Sequence, residues 1–128
     1  MTPDLELLVW STALTLVQAV IAAFGALQQV GLPALAGNRA GLPALEGWAG
    51  RAQRAHRNML ENLVLFAVLV VAASIVGKLN ATTALGAQLF FWGRLVYAPI
   101  YILGIPWVRT AAFAVSMLGL IMIFLQLL

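Results

Sequence analysis

The feature that most limits how this chain can fold is a long apolar run near its start. No charged residue occurs from Leu7 to Ala36, and the run from Leu7 to Val30 exceeds the roughly 20 residues that cross a bilayer as a helix. Its length and the lack of a preceding basic residue disfavour a cleaved signal peptide. Hydrophobic residues make up 63% of the chain and charged residues 9%. We therefore predict a membrane protein.

Three further apolar segments follow, separated by short polar or Gly/Pro-containing connections. Thr2 and Pro3 are typical of a helix start, and the sequence Gly104-Ile105-Pro106 is typical of a turn between two helices. The sequence predicts an all-α, integral membrane four-helix bundle in a single domain. Its predicted bounds are 1–128 for the domain and about 5–30, 51–76, 81–103 and 106–128 for the helices.

The second helix opens with a polar stretch that is unusual for a membrane span. On a helical wheel one face carries Arg51, Arg54, Arg57, Asn58, Glu61 and Asn62, and His56 falls on the opposite side. A face with several donors and one carboxylate suits a ligand that carries both carboxylate and ammonium groups. The alternative is a basic collar near the membrane surface that follows the positive-inside rule, with Glu61 as its counter-ion. Both interpretations stay open from this helix alone.

The third segment carries one charge, Arg94, about midway through the predicted span. From Arg94 to Leu103 a helix rises roughly 14 Å, and a charge at that depth needs a partner. Tyr97 and Tyr101 share its face, because residues three and four apart are neighbours on a helix. If the second and third helices pack side by side, Glu61 is the expected partner of Arg94.

Composition excludes several classes of site. Cysteine is absent and there is a single histidine, so we expect no metal site. The seven basic residues form no dense face of the kind that binds nucleic acid, so we expect no nucleic-acid partner. Arginines cluster in two connections, at Arg39 to Arg57 and at Arg109, whereas the opposite side has Lys78. By the positive-inside rule both basic connections are cytoplasmic and both termini lie outside.

Two motifs in the chain carry a family resemblance. The first is the run from Arg54 to Asn62, which has the pattern R-A-H-x-N-x-x-E-N, and the second is Gly93-Arg94 with Tyr97 and Tyr101, followed after the turn by Arg109-Thr110. With both motifs the chain resembles the MAPEG family, the membrane-associated proteins in eicosanoid and glutathione metabolism. Together they cover roughly the latter two-thirds of the chain, and the resemblance is to a bacterial-type member.

The resemblance implies a homotrimer that binds glutathione between adjacent subunits near the cytoplasmic face, in a bacterial inner membrane with periplasmic termini. It implies Arg109 as the residue that activates the glutathione thiolate. The implied glutathione-binding residues are Arg54, Arg57, Asn58, Glu61, Arg94, Tyr97 and Tyr101, with Gln28, Arg51, His56 and Thr110 as further candidates. The implied partners are a second copy, membrane lipid and a lipophilic small molecule.

The first helix departs from the eicosanoid enzymes of that family. Those enzymes carry an arginine near its cytoplasmic end, where this chain has Gln28 and Gln29. A glutamine donates a hydrogen bond but supplies no charge, so the sequence does not favour specialised eicosanoid synthesis.

The leading hypothesis is a glutathione transferase or peroxidase that acts on lipophilic electrophiles, with glutathione as co-substrate and no metal. The alternative is a non-catalytic protein whose polar cleft binds a lipid head group or a partner helix. A channel or transporter is disfavoured, because the charges cluster at one end and do not line a path across the membrane.

Overall fold

The computed structural model describes all 128 residues and contains helices joined by short connections. The helices are α1 (Pro3–Val30), α2 (Leu32–Ala36), α3 (Gly47–Ile75), α4 (Ala81–Leu103) and α5 (Pro106–Leu127). The all-α prediction is confirmed. The structure has five helices where the sequence predicted four, because α2 is a single short turn of five residues, too short to give a periodic signal.

Three of the helices, α1, α3 and α5, are long and apolar enough to cross a membrane. The 23-residue α4 lies outside that set, since Gln88, Arg94 and two tyrosines lower its mean hydropathy. It packs against α1, α3 and α5, most extensively against α5. One face of α4, with Leu85, Trp92 and Val96, is exposed. Arg94 is on the buried face, which keeps its charge away from lipid.

Local sequence signals set the helix ends. The Thr2 hydroxyl accepts a hydrogen bond from the Leu5 N–H at 3.3 Å, and Pro3 is the first residue of α1. At the other end of the chain, Gly104 closes α4 in the left-handed conformation, with φ 81° and ψ 26°, and Pro106 begins α5. These ends agree with the predicted ones, because capping depends on residues within one turn of the terminus.

The start of α3 is set by a contact from α1. The Gln29 amide donates from Nε2 to the Glu46 carbonyl at 2.6 Å and accepts at Oε1 from the Glu46 N–H at 2.9 Å. This pair holds Glu46 in an extended conformation, so the helix begins at Gly47 and not at Arg51 as predicted.

The hydrophobic core lies between α1, α3, α4 and α5, toward the end at which α1 and α4 begin. The Phe66 and Phe90 rings stack there with centroids 4.2 Å apart. The other buried members are Leu7, Met59, Val70, Ala87, Leu120 and Ile123. The polar ends of α3 and α4 therefore remain available for a site at the opposite end.

The face of α1 that packs into the bundle includes several polar side chains. Asp4, Ser11, Thr15 and Gln18 are buried, and the Thr15 hydroxyl donates to the Ser11 carbonyl at 2.8 Å. Both polar side-chain atoms of Gln18 are buried without a partner in the chain. Turning these groups inward removes them from lipid, where an unsatisfied polar group costs several kcal/mol.

The contact between α4 and α5 depends on glycine. A Cβ atom at Gly86 would lie 2.6 Å from the Gly119 carbonyl oxygen, closer than van der Waals contact allows. We expect Gly86→Val to lower the free energy of unfolding by about 1–3 kcal/mol, the usual cost of overpacking. Unfolding in detergent, followed by circular dichroism during titration with a denaturing surfactant, measures the change. Ala114→Val at an exposed position of α5 is the control, and equal stability of the two variants would contradict the prediction.

Candidate functional site

Arg54 on α3 contacts the end of α4. Its Nε donates to the Tyr101 hydroxyl at 3.3 Å, while the side chain itself remains exposed. Asn58, one turn further along α3, is half-buried and accepts from the buried Asn62 side chain, through its backbone carbonyl at 2.8 Å and through Oδ1 at 3.3 Å. Arg54 and Asn58 therefore face α4 at the arginine-bearing end of the bundle.

Arg51 lies beside Arg54 but has a structural partner. Its Nε donates to the Ile102 carbonyl at 2.7 Å, and its guanidinium packs close to Gly104. The last carbonyls of a helix have no partner within that helix and carry partial negative charge, so a cation is favoured there. Arg51 thus caps α4 and fixes the turn that precedes Arg109.

We expect Arg51→Met to loosen this turn. A hydrogen bond to a charged donor contributes about 1.5–3 kcal/mol, so exchange of the Gly104 and Ile105 amides, both bonded within the α4 cap, should accelerate about tenfold or more. Hydrogen–deuterium exchange in nanodiscs measures it. Arg57→Met, which removes an exposed arginine of α3, should leave these amides unchanged; the same acceleration in both variants would contradict the capping role.

Arg94 is the largest side chain that is fully buried, at 1% exposure. Its Cζ lies 4.1 Å from the centroid of the Tyr97 ring, and none of its three guanidinium nitrogens has a hydrogen-bond partner in the chain. The predicted pairing with Glu61 is wrong for a single chain, because Glu61 lies on the exposed side of α3. Stacking on an aromatic face offsets only part of the cost of burying a guanidinium.

Arg109 of α5 also stacks on a tyrosine of α4, Tyr101, which lies one helical turn after Tyr97. Its Cζ lies 4.7 Å from the centroid of the Tyr101 ring, and the Tyr97 and Tyr101 rings are 5.5 Å apart. Thr110 is exposed, and its hydroxyl donates to the Pro106 carbonyl at 3.1 Å. An open pocket of about 220 Å³ is lined by Asn58, Tyr97, Arg109, Thr110 and Phe113.

The structure thus brings together most of the predicted residues. Those in mutual contact or at the pocket are Arg54, Asn58, Arg94, Tyr97, Tyr101, Arg109 and Thr110. Arg57 and Glu61 lie nearby on the exposed side of α3, and Gln28 is exposed near the end of α1. His56 is half-buried and makes none of the contacts described here.

Sequence reasoning missed two residues. Phe113 lines the pocket and packs 6.2 Å from the Tyr97 ring; its position four residues after Arg109 places it on the same helix face, and that spacing was the available signal. Gln29 differs from its neighbour Gln28, because its side chain is engaged with the backbone of Glu46. No local signal distinguishes the two glutamines.

The family of this chain follows from a comparison with models of known protein families. A model of the MAPEG family matches residues 6–128, essentially the whole chain. The chain belongs to the MAPEG family. It is accordingly an integral membrane protein, with three helices able to span the bilayer. No curated protein matches this MAPEG protein significantly.

Proposed function

We propose that this MAPEG protein is a membrane-embedded glutathione transferase or peroxidase that acts on lipophilic electrophiles. The observation that carries the proposal is the pair of arginines, Arg94 and Arg109, stacked on Tyr97 and Tyr101 beside an open pocket. Glutathione carries two carboxylates, an ammonium group and a thiol. Arg109 lines the pocket, and Arg94 stacks on Tyr97, which lines it too, so the two guanidinium groups complement the carboxylates of glutathione.

Each side chain has a proposed role. Arg94 and Arg54 bind the glutathione carboxylates, Glu61 binds its ammonium group, and Asn58 donates to a peptide carbonyl. Tyr97 and Tyr101 hold the two arginines and line the cleft, and the exposed Arg57 adds positive charge at the entrance. Gln28, His56 and Thr110 are further candidates for contact, whereas Arg51 acts through the cap of α4.

Arg109 stabilises the reactive thiolate. A positive charge beside a thiol favours the ionised form and lowers its pKa from about 8.5. In the transferase reaction the thiolate sulfur bonds to an electrophilic carbon, the leaving group departs with its electron pair, and the thiol proton passes to water. In the peroxidase reaction the sulfur bonds to a peroxide oxygen as the O–O bond breaks, and the alcohol leaves with the electron pair of that bond and a proton. The thiol of a second glutathione then attacks the sulfur of the resulting sulfenic acid, which forms the disulfide and releases the hydroxyl as water.

The proposal includes an assembly and an orientation. Glu61 and Arg57 are exposed on a single chain, so we propose that a homotrimer encloses glutathione between copies. Arg39, Arg51, Arg54, Arg57 and Arg109 lie at one end and Lys78 at the other. By the positive-inside rule the site is in the cytoplasmic leaflet of a bacterial inner membrane, with both termini periplasmic.

Turnover in nanodiscs tests the proposal. Purified protein should consume glutathione with either a nonpolar aryl halide or an alkyl hydroperoxide, and a glutathione analogue with an S-alkyl group should inhibit it. Absence of turnover with both substrates, together with absence of glutathione binding, would favour the alternative of a non-catalytic cleft for a lipid head group or partner helix.

A further inference from the structure

A second groove lies at the end of the bundle away from the arginines. It has a volume of about 390 Å³, larger than the pocket beside Arg109, and runs between the beginnings of α1 and α4. Its lining residues are Pro3, Glu6, Leu7, Trp10, Gln88, Phe91 and Trp92. None of them belongs to the proposed glutathione site, so the groove calls for a separate explanation.

The groove changes from charged to apolar with depth. Glu6 lies in the first turn of α1, at the mouth. At 1.5 Å per residue, Gln88 lies roughly 10 Å along α4 and Trp92 roughly 16 Å, while Trp10 lies roughly 10 Å along α1. The carboxylate thus lies at the mouth, the amide and Trp10 lie at a similar depth below it, and Phe91 and Trp92 lie deeper still. This order matches the head group, the ester and the acyl chain of a phospholipid.

The amide and the indole are fixed in place. Trp92 Nε1 donates to Gln88 Oε1 at 2.7 Å, which orients the amide and leaves its Nε2 protons available to an acceptor. The Phe91 and Trp92 rings meet edge to face with centroids 5.1 Å apart. The polar contacts that a ligand needs are therefore partly preorganised.

The charge of the groove selects a cation. Glu6 is exposed, and Lys78, the side-chain cation at this end, is bonded to the Leu127 carbonyl at 3.2 Å. A negatively charged lipid would be repelled at the same mouth.

We propose that this groove binds a zwitterionic aminophospholipid of the adjoining leaflet. Its ammonium group pairs with Glu6, its phosphate or ester oxygens accept from Gln88, and an acyl chain packs along Leu7, Trp10 and Phe91. The proposal does not depend on the glutathione reaction, because it uses none of the same residues.

Native mass spectrometry tests the proposal. Protein from nanodiscs containing equal amounts of phosphatidylethanolamine and phosphatidylglycerol should retain phosphatidylethanolamine about fivefold more, as expected for one partly exposed ion pair. Glu6→Gln should abolish this preference, and Gln88→Leu should weaken retention of both lipids. Glu46→Gln, which removes an exposed carboxylate at the other end, is the matched control and should keep the preference.

Equal retention of both lipids by the unmodified protein would overturn the proposal, as would an unchanged preference in Glu6→Gln. Glu6 is exposed, so that variant should keep its helical content, and circular dichroism checks this. If the lipid preference in Glu46→Gln falls as it does in Glu6→Gln, net charge and not the groove is responsible, and the proposal fails.

Discussion

Arg109→Leu is expected to reduce glutathione-dependent turnover by about 10²–10³-fold. That is the typical effect of removing one preorganised hydrogen-bond donor that stabilises a negative charge in an active site. Arg109 lines the pocket and stacks on Tyr101, and it is half-buried, so its charge is less screened by water than that of a surface arginine. Without it, a thiol with a pKa near 8.5 is only a few per cent ionised at neutral pH. The measurement is kcat and KM in nanodiscs, in which kcat should fall much more than KM rises.

The control for this prediction removes a charge from the same end without touching the pocket. Arg39 lies in the connection before α3 at φ 63°, a conformation that asparagine tolerates. Arg39→Asn should keep turnover within about twofold, since an exposed charge contributes little. Similar losses in Arg39→Asn and Arg109→Leu would mean that net positive charge, and not a specific contact, supports activity.

Arg94→Met is expected to have opposite effects on binding and on stability. Removing one partner of a buried, hydrogen-bonded charge pair typically costs about 2–5 kcal/mol of binding free energy. The loss of the Arg94 guanidinium should therefore weaken glutathione binding about 30-fold or more. The free energy of unfolding without glutathione should stay equal or rise by about 1–4 kcal/mol, because methionine needs no partner for the three unpaired nitrogens of Arg94. Binding calorimetry and unfolding in detergent give the two quantities.

A different result would indicate a different role for Arg94. If its partner is Glu61 of a neighbouring copy, Arg94→Met should dissociate the oligomer and lower stability, and Glu61→Gln should do the same. Size-exclusion chromatography with light scattering distinguishes this outcome. Dissociation without any change in the intrinsic affinity for glutathione would contradict a ligand-binding role.

Local signals allowed the helices to be predicted, and contacts between distant residues limited the prediction. The start of α1 at Pro3 and the turn at Gly104 follow from caps within one helical turn. The start of α3 depends on a side chain of α1, Gln29, which is 17 residues away from Glu46. A contact at that separation leaves no periodic pattern in the sequence.

In the candidate site, too, local spacing predicts which residues share a helix face, whereas contacts between distant residues are not predicted. Spacings of three and four residues were enough to place Arg94, Tyr97 and Tyr101 on one face. The pairing of Glu61 with Arg94 depended on the rotation of α3 against α4, which packing such as that of Phe66 on Phe90 fixes. In that rotation the carboxylate points outward. The capping role of Arg51 likewise depends on a carbonyl 51 residues away.

The most direct test is ultraviolet difference absorbance of glutathione bound to the protein in nanodiscs at neutral pH. We predict a thiolate band that grows and saturates with glutathione concentration in the unmodified protein and is lost in Arg109→Leu although glutathione still binds. A protein that binds no glutathione, or that shows the same band without Arg109, would contradict the account.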